Sequence, residues 1–164
     1  MIDKKSLVIY FSRADENYSV GYIEKGNTEY IAEFVRDITG GDLFKVEPLV
    51  PYAKDYATCI EEAKERVGNA PIKNKLDDIS DYEVVYIMSP IYWGTYAPEV
   101  ETAIKDLDFT GKTIRVVTTH EGSGLGDVLR DVKRVCTGAN VDDNALAVRG
   151  SDCKSAKSRV ESWV

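Results

Sequence analysis

Glu83-Val84-Val85-Tyr86-Ile87-Met88-Ser89-Pro90-Ile91-Tyr92-Trp93-Gly94-Thr95-Tyr96 changes character twice in a short span. An apolar, largely β-branched run stops at Ser89-Pro90. A loop with three aromatics and a glycine follows, and a helical pattern begins beyond it. A continuous apolar run of this length suits a strand buried on both faces. Pro90 ends it, and Gly94 admits a sharp or left-handed turn. Tyr92, Trp93 and Tyr96 in one such loop either make a flat slot for a planar ligand or cover the end of the sheet.

The same alternation runs outward in both directions. Leu7 to Phe11 is a second continuous apolar run, Asp42 to Glu47 a third strand closed by Pro48, Thr113 to Thr118 a fourth, and Ala145 to Val148 a short fifth. Between them the apolar period changes to that of helices. Ile31, Phe34, Val35 and Ile38 form one stripe, stopped at Gly40-Gly41, and Tyr56, Cys59, Ile60, Ala63 and Val67 another. Val100, Ala103, Ile104 and Leu107 make a third, and Leu125, Val128, Leu129, Val132 and Val135 a fourth. Ser151 or Asp152 can cap a last helix carrying Ala156, Val160 and Trp163. Residues 13–25 read as polar and irregular. Strands alternating with helices predict an α/β fold: a parallel sheet, doubly wound and covered on both faces, in a single domain over residues 1–164. In such sheets ligands sit beyond the carboxyl ends of the strands, where strand order reverses.

Composition narrows the function. The chain has 164 residues and a formal net charge of -7, so nucleic acid and anionic membrane surfaces are not expected partners. An acidic surface suits docking to basic protein patches, or serves solubility alone. Cys59, Cys136 and Cys153 are far apart and lack a CxxC spacing, which argues against a disulfide framework or a zinc site and fits a reducing cytoplasm. No apolar run approaches membrane-spanning length.

Three loops follow the strands where chemistry is expected. After the first strand come Ser12-Arg13 and, later, Gly26-Asn27-Thr28-Glu29, which opens a helix. Free N–H groups there, with hydroxyls and an amide nearby, bind an anion well, and Arg13 can add a charge-assisted bond. An ordinary cap by Asn27 or Thr28 is the alternative. The third-strand loop is the aromatic one. The fourth strand ends in Thr118-Thr119-His120-Glu121-Gly122-Ser123-Gly124-Leu125-Gly126. GxGxxG fails here because Asp127 stands at the last glycine, and GxSxG fails because Glu121 replaces its first. His120, the only histidine, either contacts a ligand or makes a local polar contact.

Tyr10-Phe11-Ser12 with Gly26-Asn27-Thr28, then Ser89 to Gly94, then Thr118 to Gly124 together resemble the flavodoxin family, in order and over nearly the whole chain. The resemblance implies a three-layer sheet of five strands in order 2-1-3-4-5 and one FMN held without covalent attachment. By matching position, Ser12, Asn27 and Thr28 would hold the phosphate, helped by Arg13 and Gly26. Ser89 would belong to the loop that flanks the flavin ring, and Pro90, Ile91, Tyr92, Trp93 and Gly94 would flank it directly, with Tyr92 or Trp93 lying against it. Backbone groups of Glu121, Gly122, Ser123 and Gly124 would meet the ring's polar edge, with His120 beside it. A peptide carbonyl near Gly94 would accept a hydrogen bond from flavin N5.

The chain departs from the family at one place. Residues 13–25 separate Ser12 from Gly26, where the family uses a tight Ser/Thr-x-Thr-Gly-x-Thr loop. The insertion is a lid, a partner surface or a neutral addition. The implied function is that of a low-potential one-electron carrier in the cytoplasm, serving redox partner proteins with basic patches. The alternative is an FMN-dependent NAD(P)H oxidoreductase of quinone-reductase type.

Overall fold

A computed structural model describes residues 5–17 and 21–164. Strand β1 (Ser6–Tyr10) lies at the centre, buried along its whole length. Its side chains alternate between two cores, as strand geometry requires. Leu7, Ile9 and Phe11 join Val85, Ile87, Val116 and the apolar faces of three helices in one core. Val8 and Tyr10 join Tyr86, Met88, Val117 and two other helices in the second. Each such buried aliphatic side chain stabilises the fold by roughly 1.5–3 kcal/mol.

The remaining elements run in chain order. β2 (Asp15–Asn17) and β3 (Gly21–Ile23) form a small antiparallel ribbon, followed by α1 (Asn27–Thr39), β4 (Asp42–Lys45), α2 (Tyr56–Glu65) and β5 (Val84–Pro90). Then come α3 (Pro98–Ile104), β6 (Thr113–His120), α4 (Val128–Val135), β7 (Asn140–Val141), β8 (Leu146–Arg149), a 3-10 helix (Gly150–Ser155) and α5 (Lys157–Trp163). The main sheet is parallel in order β4-β1-β5-β6, with β7 and β8 both pairing to the far side of β6. Counting β7 and β8 as one interrupted strand gives the expected order 2-1-3-4-5. Helices α1 and α5 cover one face and α2, α3 and α4 the other, so the fold is the three-layer α/β sandwich.

Several local readings change, Val67 among them, which lies past α2 and is exposed. The segment read as irregular contains the β2–β3 ribbon, and residues 18–20, with Tyr18, lie outside the described residues. The fifth strand is split because Asp142 turns the chain, its Oδ1 accepting the N–H of Asn144 at 2.8 Å. Neither Ser151 nor Asp152 caps the last helix, since a 3-10 turn occupies 150–155 and α5 starts after Ala156. Leu125 lies before α4 rather than on it, in the turn where the Val128 N–H meets its carbonyl.

Register brings the functional loops level. β1 pairs with β5 through Tyr10↔Met88, and β5 with β6 through Pro90↔Thr119. The ends of the central strands therefore open on one edge of the sheet. Among the described residues no helix is long and apolar enough to cross a membrane.

Candidate functional site

A cleft of ≈ 390 Å³ lies at that edge. It is lined by Arg13, Asn27 and Thr28 at one end, and floored by Pro90, Ile91, Tyr92 and Thr119. Tyr56, Ile60, Trp93 and Gly94 form one wall, and His120, Glu121 and Ser123 the other. The volume falls in the lower part of the range for a single small-molecule ligand.

The anion end is built from β1 and the start of α1. The position before Asn27 is Gly26, and neither Asn27 nor Thr28 caps the helix. Ser12 does so from the end of β1, its Oγ accepting the N–H of Glu29 at 3.0 Å. This corrects the reading of Asn27 or Thr28 as cap, and it employs Ser12 behind the cleft rather than in it. Gly26 lets the two segments touch: a Cβ there would lie 2.0 Å from Ser12 Oγ and 2.8 Å from the Arg13 nitrogen. The earlier N–H groups of a first turn have no intrahelical partner and suit an anion. Thr28 is 1% exposed, and its hydroxyl shares a 2.8 Å hydrogen bond with that of Thr119, tying α1 to β6. Arg13 reaches the cleft, but its Nη2 donates to the carbonyls of Ala53 and Lys54, each at 2.7 Å.

The aromatic loop is a tight reversal. The N–H of Tyr92 donates to the Thr95 carbonyl at 2.7 Å, and the N–H of Thr95 donates back at 3.3 Å. Both residues between them are left-handed, Trp93 at φ 53 and Gly94 at φ 84. Glycine takes this conformation freely, whereas for tryptophan it is strained, and such outliers cluster at functional sites. Among the described residues Trp93 is the only non-glycine with positive φ.

Tertiary bonds hold the turn on three sides. The Trp93 indole Nε1–H donates to the Ile60 carbonyl of α2 at 2.7 Å, with Lys64 Nζ 5.1 Å from the ring centre. The Thr95 hydroxyl donates to Asp131 Oδ2 of α4 at 2.6 Å. The N–H of Asp127 donates to the Gly94 carbonyl at 2.7 Å. That carbonyl is therefore directed to α4. Gly126, at φ +50, permits the approach, because a Cβ there would sit 2.4 Å from the Gly94 oxygen.

Tyr92 does not stand as a lid. Its ring is 6% exposed and packs edge-on against Phe11 and Tyr52, with centroids at 5.8 and 6.1 Å. Two residues past Pro90, it points back to the core, and burial raises its hydroxyl pKa well above the usual tyrosine value. Tyr52 in turn donates to both oxygens of the fully buried Glu99, at 2.8 and 3.0 Å. Arg66 stacks on the Tyr52 ring and pairs with Glu99 at 3.3 Å. Ser89 is also structural: its hydroxyl donates to the Pro90 carbonyl and accepts the Ala97 N–H.

In the opposite wall, His120 Nδ1 accepts the Gly122 N–H at 2.9 Å, so a proton on the neutral ring sits on Nε2. Burial, then the charges of Arg149 and Arg159, lower its pKa below the usual histidine value. The Gly124 carbonyl is taken by the Thr118 hydroxyl at 2.9 Å. Gly122 and Gly124 shape this loop without lining the cleft, whereas His120, Glu121 and Ser123 line it. Tyr56, Ile60 and Thr119 are lining residues that sequence reading missed. Thr119 stood in a quoted motif. Tyr56 and Ile60 lay on a helix stripe, and nothing in the stripe separates core positions from cleft positions.

Comparison with known proteins agrees with this fold. A family model described as Flavodoxin matches residues 5–164. No curated protein matches the chain. A Bacteroides eggerthii DSM 20697 protein assigned as a flavoprotein is 24% identical, with TM-score 0.74 over 98% of this chain and 95% of its own. One from Bacteroides uniformis ATCC 8492, also assigned as a flavoprotein, is 21% identical, with TM-score 0.76 over 99% and 98%. A Lactobacillus acidophilus NCFM flavoprotein, solved in complex with FMN, is 22% identical, with TM-score 0.63 over 98% of each chain. At these identities the likeness is one of fold.

Proposed function

We propose, because the chain belongs to the flavodoxin family, that it binds one FMN non-covalently and works as a low-potential one-electron carrier. One observation carries the reading: a helix N-terminus and a strained aromatic turn open on the same cleft. The residues present fit the group. The first turn of α1, with Asn27 and Thr28, suits the phosphate. The wall of Trp93, Tyr56 and Ile60 suits one face of a planar ring. Backbone groups of Glu121 and Ser123, which line the cleft, suit its polar edge.

Bound FMN supplies electron acceptance and release, and the chain binds, orients and tunes it. Trp93 is held to α2 by its own hydrogen bond, so the ring meets a fixed surface. Burial, then Arg149 and Arg159, lower the His120 pKa and favour its neutral ring, which offers an Nε2–H donor without a positive charge. A net charge of -7 adds a like-charge penalty for negative charge on the ring, screened by salt at distance. Both effects favour a low potential. Proteins with basic patches are the redox partners in this reading. The buried free thiols of Cys59, Cys136 and Cys153 suit work in a reducing cytoplasm.

Stepwise reduction of the FMN-loaded protein tests the carrier reading. Two separated one-electron stages, with no steady-state turnover of NADH or NADPH, are expected. Direct passage to the two-electron state together with nicotinamide turnover would replace it by the reductase.

A further inference from the structure

Glu121 stands out in the cleft wall. Its Oε1 is buried and has no hydrogen-bond partner among the described residues. It lies against the backbone of Gly150, where a Cβ would be 1.9 Å from this oxygen and 2.6 Å from Asn27 Nδ2. Two chain segments thus begin their helical turns beside this carboxylate: α1 at Asn27 and the 3-10 helix at Gly150.

We propose that Glu121 couples phosphate binding at the start of α1 to uptake of one proton, so that FMN affinity falls as pH rises. The inference rests on the FMN reading above. A phosphate placed at the α1 N-terminus brings a like charge toward a carboxylate whose Oε1 is buried and has no hydrogen-bond partner among the described residues. A nearby like charge disfavours the ionised carboxylate. The carboxylate takes one proton from solvent to become the neutral acid, and no other bond changes.

The groups facing Glu121 leave room for this. Burial already raises its pKa above the usual glutamate value, Asp152 adds to the rise, and Arg149 with the Gly150 N–H opposes it. The Cys153 thiol, near enough to feel the carboxylate, is fully buried and pushed up to about 12, so it stays neutral. From α1 the facing group is the uncharged amide of Asn27. His120, beside Glu121 in sequence, is the other titratable group of this wall, and burial, then the charges of Arg149 and Arg159, lower its pKa.

The direction is diagnostic. A phosphate monoester gains its second charge near pH 6. A helix N-terminus alone would therefore bind FMN more tightly as pH rises. Glu121 reverses that slope.

The test titrates the apoprotein with FMN and with riboflavin between about pH 5.5 and 8, following flavin fluorescence. FMN binding should weaken several-fold across the range while riboflavin binding stays level. Glu121→Gln should remove the weakening and leave FMN binding that tightens as pH rises. Calorimetry of the native protein in two buffers of different ionisation enthalpy should show proton uptake with FMN and none with riboflavin. This second measurement holds even where the variant folds poorly. The proposal is overturned if Glu121→Gln keeps the native slope, if His120→Gln removes it instead, or if FMN binds without proton uptake. Failure of both flavins to bind at any pH overturns the cofactor assignment and this coupling with it. FMN binding without the pH slope overturns the coupling alone.

Discussion

The two walls of the cleft are built in opposite ways. The wall around Trp93 is a strained turn fixed from outside, by α2 through the indole and by α4 through Thr95 and Gly94. The wall around Glu121 is fixed mostly from within, by the His120 ring on the Gly122 N–H and the Thr118 hydroxyl on the Gly124 carbonyl. One wall is rigid in shape, held by the Trp93 indole on α2 and by Thr95 and Gly94 on α4. The other carries the groups that titrate. The walls meet at one point, where Gly126 passes under the Gly94 carbonyl.

That meeting point is where the contrast breaks most easily. Gly126→Ala places a Cβ 2.4 Å from the Gly94 oxygen in a left-handed residue, so both walls must shift. A stability loss of about 2 kcal/mol or more in urea unfolding is expected, with flavin affinity down by about tenfold or more. A native-like unfolding midpoint would show that the walls do not bear on each other. Next comes Trp93→Gly, which removes the indole and also relieves the φ 53 strain. FMN affinity should drop by about tenfold while stability is held or rises slightly. Loss of both in parallel would make Trp93 a structural residue.

Asp131→Asn weakens the bond from the Thr95 hydroxyl and the ion pair with Arg134 at 3.6 Å. It should cost about 1 kcal/mol in thermal or urea unfolding and leave the phosphate end untouched. The smallest effect belongs to the inner-fixed wall. The raised pKa of Glu121 means that its neutral form is favoured on folding. Its contribution is therefore fully present below the ordinary carboxylate range and is lost as pH rises through its folded-state value. The Tm advantage of Glu121→Gln over the native apoprotein should accordingly grow from about pH 4 towards 7. An advantage that shrinks over that range would put the carboxylate in a favourable ion pair instead.

Much of this architecture was legible because strands buried on both faces leave continuous apolar runs, as at Leu7–Phe11 and Val84–Met88. The interrupted edge was less so, since β7 is two residues long and polar at Asn140. The β2–β3 ribbon was missed because its residues carry no apolar alternation. At the site, the anion turn and both loops were found by their position after strands. The division of labour within them was hidden. Ser12 caps from another segment, Tyr92 turns to the core, and Tyr56 reaches the cleft from α2. Each depends on where a side chain points after the chain has folded, which spacing along one segment does not specify.

The central claim is that one cleft reads both the phosphate and the ring of FMN. Titration of the apoprotein with FMN and riboflavin near pH 6, repeated on Thr28→Ala, tests it most directly. Saturation at one FMN per chain is predicted, with riboflavin clearly weaker and Thr28→Ala narrowing the gap between the two. Equal affinity for FMN and riboflavin in the native protein, or no saturable binding of either, would contradict it.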